Sequence, residues 1–336
     1  MNKITTVGID LAKQVFAIHA VAADGRVVLR RTVSRGRLVE TIARLPPSLI
    51  GLEACTGAHE WARRFQALGH AVRLMAPAFV SPYRKSGKND GNDAEAICEA
   101  VSRPNMRFVS IKSVEQQALL TLHRVRQGFV AERTAVVNRI RGLLAEFGVV
   151  LPQRVESVRR GLHESTAGLP DLACRVIRDL QGHLLGLDER INGYDRELKR
   201  LATADEKTRR VQIIPGVGPI TASAIVASVG SAKEFRNGRQ FAAWLGLTPR
   251  QYSSGGKTRL GGISKRGDAY LRMLLVLGAR SVLQNAGRYT DRLSRWARTI
   301  RDRCGYHKAI VAIAAKNARI LWVVLAKGES FRAQPA

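Results

Sequence analysis

The chain has 336 residues, 45% of them hydrophobic, and its 55 Lys and Arg outnumber 27 Asp and Glu for a formal charge of +28. That length suits two or three domains with proper cores, and a field of that sign draws nucleic acid by counterion release, for an enzyme and for a coating protein alike. Cys55, Cys98, Cys174 and Cys304 form no Cys-x-x-Cys pair and no His stands at zinc spacing, which excludes a disulfide framework and structural zinc and suits a reducing cytoplasm. No signal peptide is read, and the most apolar stretch, Ala309 to Leu325, carries Lys316 and Arg319, so no membrane span is expected.

In chain order, Ile4 to Ile9, Val15 to Val21 and Val27 to Val33 predict three strands, with Asp24-Gly25 as the turn of a meander. Arg37 to Leu45 predicts a helix stopped by Pro46-Pro47, Leu49 to Leu52 a short buried strand, Ala58 to Leu68 a helix ended by Gly69, and Ala71 to Met75 a further strand. With a helix from about Asp90 the order is βββαβαβα, that of an RNase H-like (RuvC-like) nuclease core. Asp10 and Glu53 follow the first and fourth strands, and Asp90 and Asp93 stand i, i+3 on one face of the last helix, near its N-terminus. Any one of these acids singly reads as a solvated carboxylate; together they suit hard divalent cations that clamp the oxygens of a phosphoryl transfer.

A helical middle follows, from Ser113 to Phe147 and again around Leu180, Leu184, Leu187, Ile191, Tyr194, Leu198 and Leu201, which recur at spacings of 4, 3, 4, 3, 4 and 3. This is a heptad seam, a coiled coil whose partner is either the earlier helix of the same chain or a second protomer. The last region opens with Pro215-Gly216-Val217-Gly218, close to the turn of a helix-hairpin-helix element that presents backbone N–H groups to a phosphate, and equally a tight turn between helices. A Gly/Ser/Lys-rich loop follows, from Leu247 through Ser253, Ser254 and Lys257 to Gly267. From Arg250 onward eighteen basic residues face four acids, so this end is expected on backbone phosphates.

Six motifs stand in order along the chain: Gly8-Ile9-Asp10-Leu11-Ala12-Lys13, Glu53-Ala54-Cys55-Thr56-Gly57, Lys88-Asn89-Asp90-Gly91-Asn92-Asp93-Ala94, Pro215-Gly216-Val217-Gly218, Leu245-Gly246-Leu247-Thr248-Pro249, and Ser254-Gly255 through Ile263-Ser264-Lys265-Arg266-Gly267. In this set the chain resembles a DEDD-type insertion-sequence transposase of the family named for insertion sequence one-ten, whose members are bridge-RNA-guided recombinases. The resemblance implies magnesium (Mg2+) on Asp10, Glu53, Asp90 and Asp93 and a serine nucleophile at Ser254, beside Ser253. It implies a RuvC-like catalytic domain over residues 1–105, a helical coiled-coil region over 106–205 and a mainly helical transposase domain over 206–330.

The expected partners are double-stranded donor and target DNA, a noncoding guide RNA and further copies of the chain, as a dimer or tetramer. The setting is the bacterial cytoplasm, at the nucleoid. Gly216, Gly218, Arg250, Lys257, Arg259, Lys265 and Arg266 are the candidate nucleic-acid contacts. Two other readings stay open: a metal-dependent junction-resolving nuclease that activates water, with Ser254 only a phosphate-loop residue, and a non-enzymatic architectural protein.

Overall fold

Residues 3–85, 87, 89–159 and 168–332 are described in the computed structural model; Lys88 of the third motif lies outside them. Two units divide the chain at Val114. In the first, β1 (Ile4–Asp10), β2 (Val15–Ala22) and β3 (Val27–Ser34) form the expected antiparallel meander, turning at Gly25 with φ of 82°. Then come α1 (Arg35–Ala43), β4 (Leu49–Glu53), α2 (Ala58–Ala67), β5 (Ala71–Met75), α3 (Pro77–Val80), α4 (Asp90–Val101) and the two-residue β6 (Phe108–Val109). The sheet order is β3-β2-β1-β4-β5-β6, with β1, β4 and β5 parallel and the outer pairings antiparallel. This mixed sheet among helices is consistent with an RNase H-like core.

Both sheet faces are covered, which is why β2 is buried almost throughout instead of alternating. Val7, Ile9, Phe16, Ile18 and Leu52 pack with Trp61 and Phe65 of α2 in one core, and Met75 and Val80 pack with Ile97, Ala100 and Val101 in another. The short α3 and β6 were not expected from the sequence; neither is long enough to show a period.

The second unit contains α5 (Val114–Ala145), α6 (Asp171–Ala204), α7 (Glu206–Gln212), α8 (Pro219–Ser228), α9 (Gly238–Trp244), β7 (Pro249–Ser254), β8 (Lys257–Ile263), α10 (Ala269–Asn285), α11 (Arg292–Cys304) and α12 (Tyr306–Lys327). Helices α5 and α6 run antiparallel: Arg126 pairs with Asp195, Arg133 with Asp188 at 3.3 Å, and the Phe129 and Tyr194 rings lie 5.7 Å apart. The heptad seam is therefore covered within the chain, Leu184 and Leu187 sharing one core with Val136, Val137, Ile140 and Leu144 of α5. Helix α12 is apolar and long enough to cross a membrane, yet Ile310, Ile313, Ala314, Ala318 and Leu321 are buried in a core shared with α8 and α10.

One expectation is corrected here. The Gly/Ser/Lys-rich stretch is not a loop but a two-stranded antiparallel hairpin, β7 with β8, closed by Gly255 and Gly256 at φ of 54° and 77°. A two-residue turn with both φ positive matches strand twist. Nearly every residue of this hairpin is exposed, so no face required apolar residues and no alternation marked it.

Candidate active site

Adjacent parallel strands place the first two acids together. The register Gly8 to Gly51 and Ile9 to Leu52 makes Asp10 and Glu53 the next residues along, side by side at the C-terminal ends of β1 and β4. Helix α4 lies across this face because Gly8 and Gly51 have no side chains. A Cβ on Gly8 would stand 2.2 Å from Ala94 O and 2.4 Å from Cys98 N, and one on Gly51 would stand 2.8 Å from Val101 Cβ. Asn89 caps the helix, its side-chain oxygen accepting from the Asn92 N–H at 2.8 Å, which puts Asp90 and Asp93 in the first turn. All four acids line one cleft of about 520 Å³, with Ser81, Arg84 and the short α3 on its wall.

The charges in this cleft interact. The Cys55 thiol is pushed above its usual range by burial and then by the Glu53 and Asp10 carboxylates. Arg84 Nη1 donates to Asp93 Oδ1 at 2.9 Å, a partner that sequence reasoning missed because nothing in the Arg84 neighbourhood marks it. The next residue, Lys85, donates to Glu95 Oε1 at 2.8 Å, and Arg30 Nη2 reaches Glu95 Oε2 at 2.8 Å. Among the described residues no three acidic, His or Cys side chains converge closely enough to hold an ion. The donor chemistry nevertheless fits a hard divalent cation: four carboxylates line one cleft, one of them, Asp93, paired with the Arg84 guanidinium.

In the second unit, Ser254 ends β7 opposite Lys257, exposed beside the glycine turn. Ser253 pairs with Thr258, and its Oγ accepts from Gln251 Nε2 at 2.8 Å. Arg250, Lys257 and Arg259 are exposed on the same hairpin, and Lys265 and Arg266 at its base. Arg272 Nη1 fixes that base by donating to the carbonyls of Leu245 at 3.1 Å and Arg266 at 3.2 Å. Gly216 and Gly218 lie apart from the hairpin residues in the α7–α8 turn. Gly216, at φ of 80°, packs on α10, where a Cβ would meet Gly278 O at 2.6 Å, so packing accounts for that glycine; Gly218 caps α8 and is exposed. Sequence reasoning also passed over α11, where Arg292, Arg295, Arg298, Arg301 and Arg303 surround the face opposite buried Leu293, Ala297 and Ile300; the signal was an arginine at every third position from Arg292 to Arg301.

Residues 7–148 match a DEDD-type IS110 family described as transposase, and residues 208–294 match the family described as Transposase IS116/IS110/IS902. The chain is 47% identical to a probable family 20 transposase of Pseudomonas aeruginosa, over 98% of this chain and 99% of the relative. It is 44% identical to the transposase for insertion sequence element IS1111A of Coxiella burnetii (99% and 92% covered) and 43% identical to that for IS1328 of Yersinia enterocolitica (98% and 99%). The chain belongs to the IS110 family of insertion-sequence transposases. This transposase thus binds DNA and performs cleavage and strand transfer, an enzymatic phosphoryl transfer, and the reading as a non-enzymatic architectural protein falls away.

Proposed function

We propose that this transposase exchanges DNA strands through a phosphoserine intermediate, with Asp10, Glu53, Asp90 and Asp93 as the ligands of magnesium and Ser254 as the nucleophile. The observation that carries the reading is the gathering of these four carboxylates in one cleft at the strand ends. When bound there, the metal supplies Lewis-acid polarisation of phosphoryl oxygens and lowers the pKa of an attacking hydroxyl. Ser254 Oγ forms a bond to phosphorus as one backbone P–O bond breaks, its own proton leaves, and the departing deoxyribose oxygen gains one. The ester conserves the bond energy, so another strand end is joined later without ATP.

Arg250, Lys257 and Arg259 on the hairpin, Lys265 and Arg266 at its base, and the exposed Gly218 N–H ahead of α8 hold backbone phosphates. A noncoding guide RNA pairs with donor and target DNA and so selects the sequence, while the protein, with aromatic residues at only 6%, reads backbone and helix shape. Exchange between two duplexes calls for more than one nucleophile, hence a dimer or tetramer acting on nucleoid DNA in the cytoplasm.

The test mixes protein, guide RNA and end-labelled DNA, then resolves denatured products. Label that migrates with protein and is freed by protease is expected, absent in Ser254→Ala and present in Ser253→Ala. Cleavage without an adduct would move the assignment to a water-activating nuclease; an adduct on Ser253 would keep the mechanism and change the residue.

A further inference from the structure

Helix α4 borders two clefts. Asp90, Asp93 and Ala96 face the carboxylate cleft, whereas Gly91, Asn92 and Glu95, turned away by the 100° step of the helix, face a second one of about 370 Å³. Its other walls are Arg30, Arg31 and Thr32 of the edge strand β3, Asn89, and His19 of β2. We propose that this second cleft is a phosphodiester subsite, which takes a backbone phosphate of the bound nucleic acid next to the carboxylate cleft.

Three observations support it. First, the charge inside is unbalanced. Glu95 is answered by both Arg30 and Lys85, at 2.8 Å each, so the one carboxylate among the described residues lining the cleft is outnumbered by its cations. Second, His19 is only 4% exposed, and its Nδ1 makes no hydrogen bond among the described residues. A buried polar atom is ordinarily paired, and a ring nitrogen at a cleft wall can donate to a phosphate oxygen. Burial holds this imidazole below its usual pKa, so it is neutral at working pH and offers one N–H whose position follows the ligand. Third, β3 is an edge strand of the sheet, and its residues Arg30, Arg31 and Thr32 are exposed. Arginine and amide donors around such a polar recess match the three-dimensional array of phosphate oxygens.

The inference rests on the DNA binding of the family and not on the metal or serine chemistry. Duplex DNA and guide RNA offer the same phosphodiester, and the experiment separates them. Binding of a 30-base-pair DNA duplex and of a 30-nucleotide single-stranded RNA to the full chain is followed by fluorescence anisotropy across a NaCl series. Arg30→Ala is expected to weaken one of the two about threefold to tenfold and to reduce its log–log salt slope by about 0.9 for duplex or 0.7 for single strand, one phosphate's worth. Arg26→Ala, whose side chain is paired with Asp24 at the hairpin tip, serves as the control and is expected to leave both slopes unchanged. Selective ¹⁵N labelling of histidine is expected to show the His19 Nδ1 resonance shifting when the same nucleic acid binds. Unchanged slopes with both probes, an equal loss in Arg26→Ala, or a static His19 resonance would each overturn the subsite. Loss of cleavage in Asp10→Asn with an intact salt slope would concern only the catalytic cleft, so the two readings fail separately.

Discussion

Arg84 Nη1 lies 2.9 Å from Asp93 Oδ1, so a guanidinium neutralises part of the charge that four carboxylates bring into one cleft. A divalent ion that takes Asp93 as a ligand competes with it for the charge of that carboxylate. Arg84→Gln therefore raises the affinity for Mg2+ or Mn2+ without nucleic acid by about fivefold, on the order of 1 kcal/mol for a partly exposed pair. Isothermal titration measures this directly, and unchanged or weaker binding would count against a metal site in this cleft.

Neutralising the ligands separates chemistry from binding. Asp10→Asn, Glu53→Gln, Asp90→Asn and Asp93→Asn are each expected to lower strand cleavage at least a hundredfold while DNA affinity holds or rises slightly, since each variant only removes negative charge. Gel-resolved cleavage alongside anisotropy reads both. Wild-type recombination by the Asp90 and Asp93 variants together would end the metal proposal.

Gly8→Ala tests the seat of α4. The added Cβ meets the backbone of Ala94 and Cys98, which cannot yield as a flexible side chain does, so the helix shifts and carries Asp90 and Asp93 with it. The expected cost is roughly 1–3 kcal/mol, read as a lower Tm, together with loss of cleavage. Gly36→Ala, where a Cβ meets nothing within 4 Å, is expected to leave both unchanged.

A buried histidine is expected to weaken the second unit in acid. His123 lies between Tyr270 OH at 3.1 Å and Ser223 Oγ at 3.0 Å, and burial, reinforced by Arg126, lowers its pKa to about 4 from 6.5. Between those values the unfolded chain binds the proton and the folded one does not, so this contribution is complete above about pH 6.5 and is lost progressively as pH falls towards 4. The loss reaches roughly 3 kcal/mol. His123→Gln keeps hydrogen-bonding groups without a titrating ring and should flatten the fall of Tm between pH 7 and 4.5; an identical slope would show that other groups govern it.

The α5–α6 packing predicts what breaks when charge enters the seam. Leu187→Asp with Ile191→Asp buries two carboxylates in this unit's own core, so thermal unfolding moves down by several kcal/mol, seen by circular dichroism. A stable fold with halved mass in light scattering would instead place a partner subunit at those positions.

The strand order was legible because β1, β4 and β5 are short apolar runs between clear breakers, and the acids announced themselves by following such runs. The seat of α4 was not, since an isolated Gly8 or Gly51 says nothing about which helix crosses it; the contact lies about ninety residues from Gly8 and about fifty from Gly51. Arg84 was not legible either, because its partner Asp93 stands nine residues on, a separation that no helix or strand spacing marks. The β7–β8 hairpin escaped because a strand that is wet on both faces carries no period, and its Gly255-Gly256 pair was read as part of a loop instead of as the turn between two strands.

The dependence of α4 on Gly8 and Gly51 also sets an order of events at the ribosome. A nascent chain that has emerged only as far as β5 can pair its strands and already displays Asp10 and Glu53, but the wall bearing Asp90 and Asp93 does not yet exist. That wall closes by a long-range contact, the kind that forms late because the intervening chain must first be ordered. The proposed cutting edge is thus absent until α4 has been translated and has settled onto the two glycines.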